Sequence, residues 1–169
     1  NAANILVKEL INESCEKFRV TKDNFLVSGD VSCEIVASKD ALKIVFDNLV
    51  DNAVKYSTGQ AKISASLICN SKKVTILFTD LGIGIVANEQ KKIFNKFYRI
   101  YNKEIPNVKG TGLGLYRVRE IIKAHGGKIS VSSEGTSKGT TFKIELPAHK
   151  AISKRQLKRL LKTEKQNQV

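Results

Sequence analysis

The chain has 169 residues, 41% hydrophobic and 27% charged, the proportions of a folded domain long enough to bury a core. No apolar run approaches the roughly 20 residues that a membrane-spanning helix needs, and no signal-peptide pattern opens the chain. The formal charge of +13 is high, and the absence of methionine makes the sequence read as a piece of a longer protein.

Ile5, Leu6, Leu10 and Ile11 recur at helical spacing, which predicts an amphipathic helix from Ile5 to Phe18. Phe25-Leu26-Val27 and Glu34-Ile35-Val36 are short strand candidates parted by Ser28-Gly29-Asp30. Ser38 is placed to cap a second helix, with Asp40 in its first turn. Leu42, Val45, Phe46, Leu49, Val50, Ala53 and Val54 mark its apolar face, and Ser57-Thr58-Gly59 ends it. Strands follow over 62–69 and 73–80, joined by a turn at Asn70-Ser71. A short helix is expected over Asn88–Phe97, then a mobile loop from Tyr98 to Lys109 containing Pro106. A helix opens at Gly112–Gly114 and runs to His125, where Gly126-Gly127 stops it. Strands over 128–133 and 140–146 close the domain before Pro147. The expected fold is an α+β two-layer sandwich, a mixed and mostly antiparallel sheet under three helices.

Residues 1–147 form the expected domain, and 148–169 a basic linker and helical tail. The tail carries seven Lys and Arg against Glu164. No aromatics interleave with these charges as a nucleic-acid stacking surface requires, so a solvated tail is expected. Its Leu157, Leu160 and Leu161 would equally suit a protein or an anionic membrane surface. Cys15, Cys33 and Cys69 include no C-x-x-C pair, which argues against a disulfide framework or zinc site and for a reducing, cytoplasmic setting.

Asn48, Asn52, Lys55 and Tyr56 share one helix face, beside the apolar stripe. Amide oxygens suit a hard cation such as Mg²⁺, and Lys55 offers phosphate a point charge. An ordinary polar face with an Asp51–Lys55 ion pair explains the same residues. Asp80 follows Val74, Ile76 and Phe78 at period two, so its carboxylate falls on the buried face and needs a donor. An adenine amine would serve; a turn-forming Asp is the plainer alternative. Gly110-Thr111-Gly112-Leu113-Gly114 opens directly into a helix, where free N–H groups favour an anion. Phe94 and Phe97 are expected on the core, with Tyr98 and Arg99 next. His125 suits a helix C-terminus, bonding the last carbonyls.

In this order, the segments resemble the ATP-binding catalytic domain of sensor histidine kinases, a branch of the Bergerat-fold ATPases. Asn48-Leu49-Val50-Asp51-Asn52-Ala53-Val54-Lys55-Tyr56 resembles the N box. Asp80-x-Gly82-x-Gly84-Ile85 resembles the first glycine box, and Phe94-Asn95-Lys96-Phe97-Tyr98-Arg99 the phenylalanine box. Gly110-Thr111-Gly112-Leu113-Gly114-Leu115 resembles the second glycine box, and Gly139-Thr140-Thr141-Phe142 the closing motif.

The resemblance implies roles. Asn52, helped by Asn48, would hold Mg²⁺, while Lys55 and Arg99 would contact the phosphates of ATP. Tyr56 would lie against the base and Asp80 would accept the adenine N6 hydrogen bond, with Thr140 close by. Gly82, Gly84 and Ile85 would admit the base; Lys109, Gly110, Thr111, Gly112, Leu113, Gly114 and Leu115 would surround the phosphates. The Tyr98–Lys109 loop would close as a lid. Hydrolytic relatives carry a glutamate where this chain has Asn48, which cannot take a proton, so phosphoryl transfer to a histidine is implied. Neither His125-Gly126 nor His149-Lys150 resembles the family's phosphoacceptor site. The acceptor would lie on a separate dimerisation domain, with a response regulator further along the two-component pathway. The parent protein is free to be membrane-anchored. A nucleotide-binding regulatory module without phosphotransfer is the alternative.

Overall fold

The structure is a computed structural model that describes residues 2–101, 108 and 110–148. Most of the expected lid, Lys109 and His149 lie outside the described residues, as does the tail beyond Ala148.

The chain opens with strand β1 (Ala2–Leu6) and helix α1 (Val7–Lys17). Strands β2 (Phe25–Gly29) and β3 (Glu34–Ser38) lead to helix α2 (Lys39–Lys55). Strands β4 (Ile63–Cys69) and β5 (Lys73–Asp80) follow, then the single-turn α3 (Ala87–Gln90). Helix α4 (Gly114–Ala124) and strands β6 (Lys128–Ser132) and β7 (Thr140–Pro147) complete the fold. The main sheet runs β2-β4-β5-β7-β6, with only β2 and β4 parallel. The parallel pair needs a long crossover, which β3 and α2 supply. This is the α+β two-layer sandwich that the patterning indicates. No helix among the described residues is long and apolar enough to cross a membrane.

One face of the sheet is the core. Val74, Ile76 and Phe78 of β5 and Phe142, Ile144 and Leu146 of β7 are buried against Leu42, Phe46, Leu49 and Ala53 of α2 and Val118 and Ile122 of α4. Each large side chain so buried contributes about 1.5–3 kcal/mol. The Ser38 hydroxyl accepts the Ala41 N–H at 3.3 Å and caps α2 as its position implies. Ser14 and Lys17 of α1 both bond Asp47 of α2, at 2.8 and 2.6 Å.

Three elements differ from the sequence reading. Ile5 and Leu6 belong to β1, which pairs antiparallel with β3 in a separate two-stranded sheet. Helix α1 starts late, and Leu6 at its N-cap makes no side-chain capping bond, so the sequence carries no start signal there. The helix expected over Asn88–Phe97 stops at Gln90. Phe97 instead adopts φ 64° and donates its N–H to Gly112 O at 3.0 Å. Phe94 packs edge-on against Phe142, whereas Phe97 is 65% exposed and does not join the core. Finally, Cys33 and Cys69 are joined in a disulfide. Their separation of 36 residues hid a proximity that only the sheet creates.

His125 bonds the Ile121 carbonyl at 2.8 Å through Nδ1, and its Nε2 accepts the Ser38 N–H at 3.3 Å. The ring therefore joins the end of α4 to the start of α2. His125→Ala should cost about 1–3 kcal/mol, because it leaves a part-buried N–H unpaired. Urea unfolding would measure this as a lower midpoint at unchanged slope.

Candidate functional site

A cleft of about 340 Å³ opens between α2, the end of β5, the segment after it and the start of α4. Its walls include Asn48, Asn52 and Lys55 from α2, Tyr56 at the C-cap of that helix, and Asp80, Gly84 and Ile85 from β5 and its loop. Arg99, Gly110, Thr111, Gly112, Gly114, Leu115 and Thr140 also line it. Residues from widely separated segments thus converge on one space. Gly82 and Leu113 do not face it among the described residues.

The deep end is formed by Asp80, Thr140 and apolar side chains. Asp80 ends β5 opposite Thr140 of β7, and both are buried, Asp80 to 7% exposure. Its Oδ1 accepts the Gly82 N–H at 2.9 Å. Burial pushes the Asp80 carboxyl up to about 6, against the pull of the Gly82 and Asp80 backbone N–H groups. Ile83, Ile93 and Phe142 give this end apolar walls that the sequence reading did not assign to a site. Their position after a buried strand and in the aromatic segment was the available signal, but apolar residues there look like core.

The first glycine segment is held from both sides. Ile83 N–H bonds the Tyr56 carbonyl at 3.0 Å, and Ile83 O accepts the Ser137 N–H at 2.7 Å. The Ser133 hydroxyl accepts Ile85 N–H at 2.9 Å and donates to Gly139 O at 2.7 Å. Gln90 Nε2 bonds both Ile85 O and Ser133 O, at 3.0 and 2.7 Å. Gly84 has φ +71°, and a Cβ there would sit 1.9 Å from Gly135 O, so this clearance serves the turn before β7. Ser133 and Gln90 were not singled out in the sequence, because isolated polar residues carry no periodic signal.

The open end is polar. Asn48 Nδ2 donates to Ile44 O at 2.7 Å, leaving its Oδ1 beside Gly114 at the first turn of α4. That turn contains no acidic residue, and its free N–H groups and dipole favour an anion. Asn48 and Asn52 present oxygen donors of the hard type that Mg²⁺ takes. Lys55 pairs with Asp51, as an ordinary polar face would have it. Arg99 is exposed and donates to Val108 O at 2.5 Å. Tyr98, also in the cleft wall, is hydrogen-bonded to Glu89.

Comparison with known proteins gives a consistent result. Residues 37–150 match the family of histidine kinase-, DNA gyrase B-, and HSP90-like ATPases. The sensor protein kinase WalK of Staphylococcus epidermidis is 36% identical over 150 residues, covering 85% of this chain and 24% of that protein. WalK of Staphylococcus haemolyticus is 40% identical over 112 residues, covering 63% and 18%. The chain therefore spans about a quarter or less of the curated relatives it matches. Among solved structures, the catalytic domain of histidine kinase ThkA, free of nucleotide, superposes with TM-score 0.73 at 30% identity, over 88% of this chain and 99% of that one. The mycobacterial sensor histidine kinase MprB gives 0.74 at 25% identity, with coverage of 88% and 99%.

Proposed function

The chain belongs to the histidine kinase-, DNA gyrase B- and HSP90-like ATPases, as a catalytic domain of the histidine kinase type, and from that we propose that it binds Mg-ATP and donates the γ-phosphate to a histidine on a separate dimerisation domain. The observation that carries this reading is the two-ended cleft. It has a buried carboxylate at one end, and at the other two amides in the wall, that of Asn48 beside an open helix N-terminus.

At the deep end Asp80 accepts the adenine exocyclic amine, while Ile83, Ile93 and Phe142 cover the ring faces and exclude water. Tyr56 and Thr140 flank the base. At the open end the first-turn N–H groups of α4, with Gly110 and Thr111, receive the phosphates. Lys55 exchanges Asp51, and Arg99 exchanges Val108 O, for phosphate oxygens; the guanidinium suits paired contacts. Asn52 and Asn48 would hold Mg²⁺, which when bound neutralises charge on the phosphates being separated. Because an amide at position 48 cannot remove a proton from water, the site positions the phosphate for an incoming histidine rather than for hydrolysis. Lys109 would contact the phosphates beside Gly110.

Incubating the chain with Mg-ATP and its parent protein's phosphoacceptor domain should give an acid-labile label on that domain's histidine. ATP binding without label would overturn phosphotransfer and leave a nucleotide-binding regulatory module. With the label on that histidine, the parent protein, read from its similarity to sensor kinases as a two-component receptor, would pass the phosphate to a response regulator.

The Ser133 and Gln90 contacts give a second test. Ser133→Ala removes the hydrogen bond to the Ile85 N–H and the one that ties this site to Gly139 O, and should weaken adenine nucleotide binding roughly tenfold. Calorimetric titration would measure it.

A further inference from the structure

Cys33 and Cys69 lie at the end of the sheet remote from the cleft: Cys69 ends β4 opposite Val74, whereas Asp80 pairs with Ile63 at the other end. Their Cα atoms are 5.9 Å apart. Cys33 lies in the connection from β2 to β3, and its carbonyl accepts the Val7 N–H at 3.2 Å at the start of α1. Cys69 belongs to the five-stranded sheet, so their bond links that sheet to the β1–β3 ribbon, with which it shares no ladder. Burial is unequal, with Cys33 2% exposed and Cys69 intermediate. Asp30 stands beside both, each of the three side chains offering a ligand-type atom within 4.8 Å of the others. The Asp30 carboxylate is held by Ser32, whose N–H and hydroxyl bond Oδ1 at 3.1 and 2.6 Å.

We propose that Cys33 and Cys69 form a reversible thiol modification site, closed by exchange with a low-molecular-weight disulfide such as oxidised glutathione. Cys69, the more accessible thiol, loses its proton and attacks one sulfur of the external disulfide. One external thiolate leaves and takes up a proton. Cys33 then deprotonates and attacks the Cys69 sulfur, expelling the second external thiolate, which is protonated in turn. Two electrons pass to the external disulfide, and the protein gains one S–S bond. The adjacent Asp30 carboxylate repels the anionic sulfur of the attacking step and so slows the exchange. Cys15 is buried and free, and burial pushes its thiol up to about 12, so it stays outside the reaction. The closed bond spans 36 residues and restricts the unfolded chain, so it acts on stability rather than on the distant cleft.

The full chain is equilibrated in glutathione buffers from reducing to oxidising, and each sample is divided for thiol mapping by mass spectrometry, thermal melting and nucleotide titration. Cys33 and Cys69 should lose their thiols together while Cys15 keeps its own. The oxidised form should melt on the order of 10 °C higher, with nucleotide affinity unchanged. Cys33→Ser should stop at a mixed disulfide on Cys69, and Asp30→Asn should speed closure several-fold. Free Cys33 and Cys69 thiols at the oxidising end, or equal melting of the two forms, would overturn the proposal. Zinc retained stoichiometrically by the reduced chain and blocking exchange would also overturn it, in favour of a metal site on the same residues.

Discussion

Asp80→Asn is expected to raise the melting temperature of the nucleotide-free chain while reducing adenine nucleotide affinity by one to two orders of magnitude. The two effects have one cause. Burial raises the Asp80 carboxyl from 3.8 to about 6, so the folded chain holds a proton there that the unfolded chain releases. With the folded value above the unfolded one, stability falls as pH rises from about 4 to about 6, and above that the full cost of the buried charge remains. The shift corresponds to up to about 3 kcal/mol at neutral pH. An amide of the same shape removes that cost and can still accept the Gly82 N–H. For a domain of this size the gain is about 5–10 °C. The ligand side has the opposite sign, because a charged acceptor to the adenine amine is worth about 1.5–3 kcal/mol. Wild-type affinity should decline below about pH 6 as Asp80 protonates, and Asp80→Asn should lack that component. Thermal melts and nucleotide titrations across pH 5–8 check both. A variant that binds as tightly as wild type would remove Asp80 from the adenine contact.

Gly114→Ala should abolish most phosphotransfer, by a hundredfold or more, without unfolding the chain. A Cβ at Gly114 would stand 2.6 Å from Asn48 Oδ1. That oxygen ends a side chain, which can turn away at the expense of the Asn48 bond to Ile44 O, so the backbone need not move. Alanine also favours a helix by up to about 1 kcal/mol over glycine, and apo stability should hold or rise slightly. What is lost is the placement of the Asn48 oxygen and the open approach to the first turn of α4. A displacement of about 1 Å in a positioning group is enough for a hundredfold loss. Single-turnover phosphorylation of the acceptor domain, set beside urea unfolding of the same variant, separates the two effects. Loss of stability matching the loss of activity would contradict this account of Gly114.

Much of this architecture is legible in the chain alone. The 3.6-residue stripe of α2 and the two-residue alternation of β5 state which side chains turn inward, because each element must bury one face. That alternation placed Asp80 inside before any fold was drawn. Asn48 and Asn52 fall on one helix face by arithmetic, and Ser38 announced its helix by its capping chemistry. The order of the glycine and asparagine segments was enough to identify the family.

What the chain alone left open is which buried face meets which. Ile5 and Leu6 suit helix and strand equally, and the ladder with Glu34 and Ile35 decides for strand. Phe97 carries the same apolar signal as Phe94, yet its N–H bonds Gly112 and its ring turns to solvent. The Ser133 bonds to Ile85 and Gln90, and the meeting of Cys33 with Cys69, join residues dozens of positions apart. Local periodicity records the conformational preference and burial of a segment. It carries no record of a partner brought near by the sheet order, and of those long-range contacts the ones to Ser133 fix the segment that walls the deep end of the cleft.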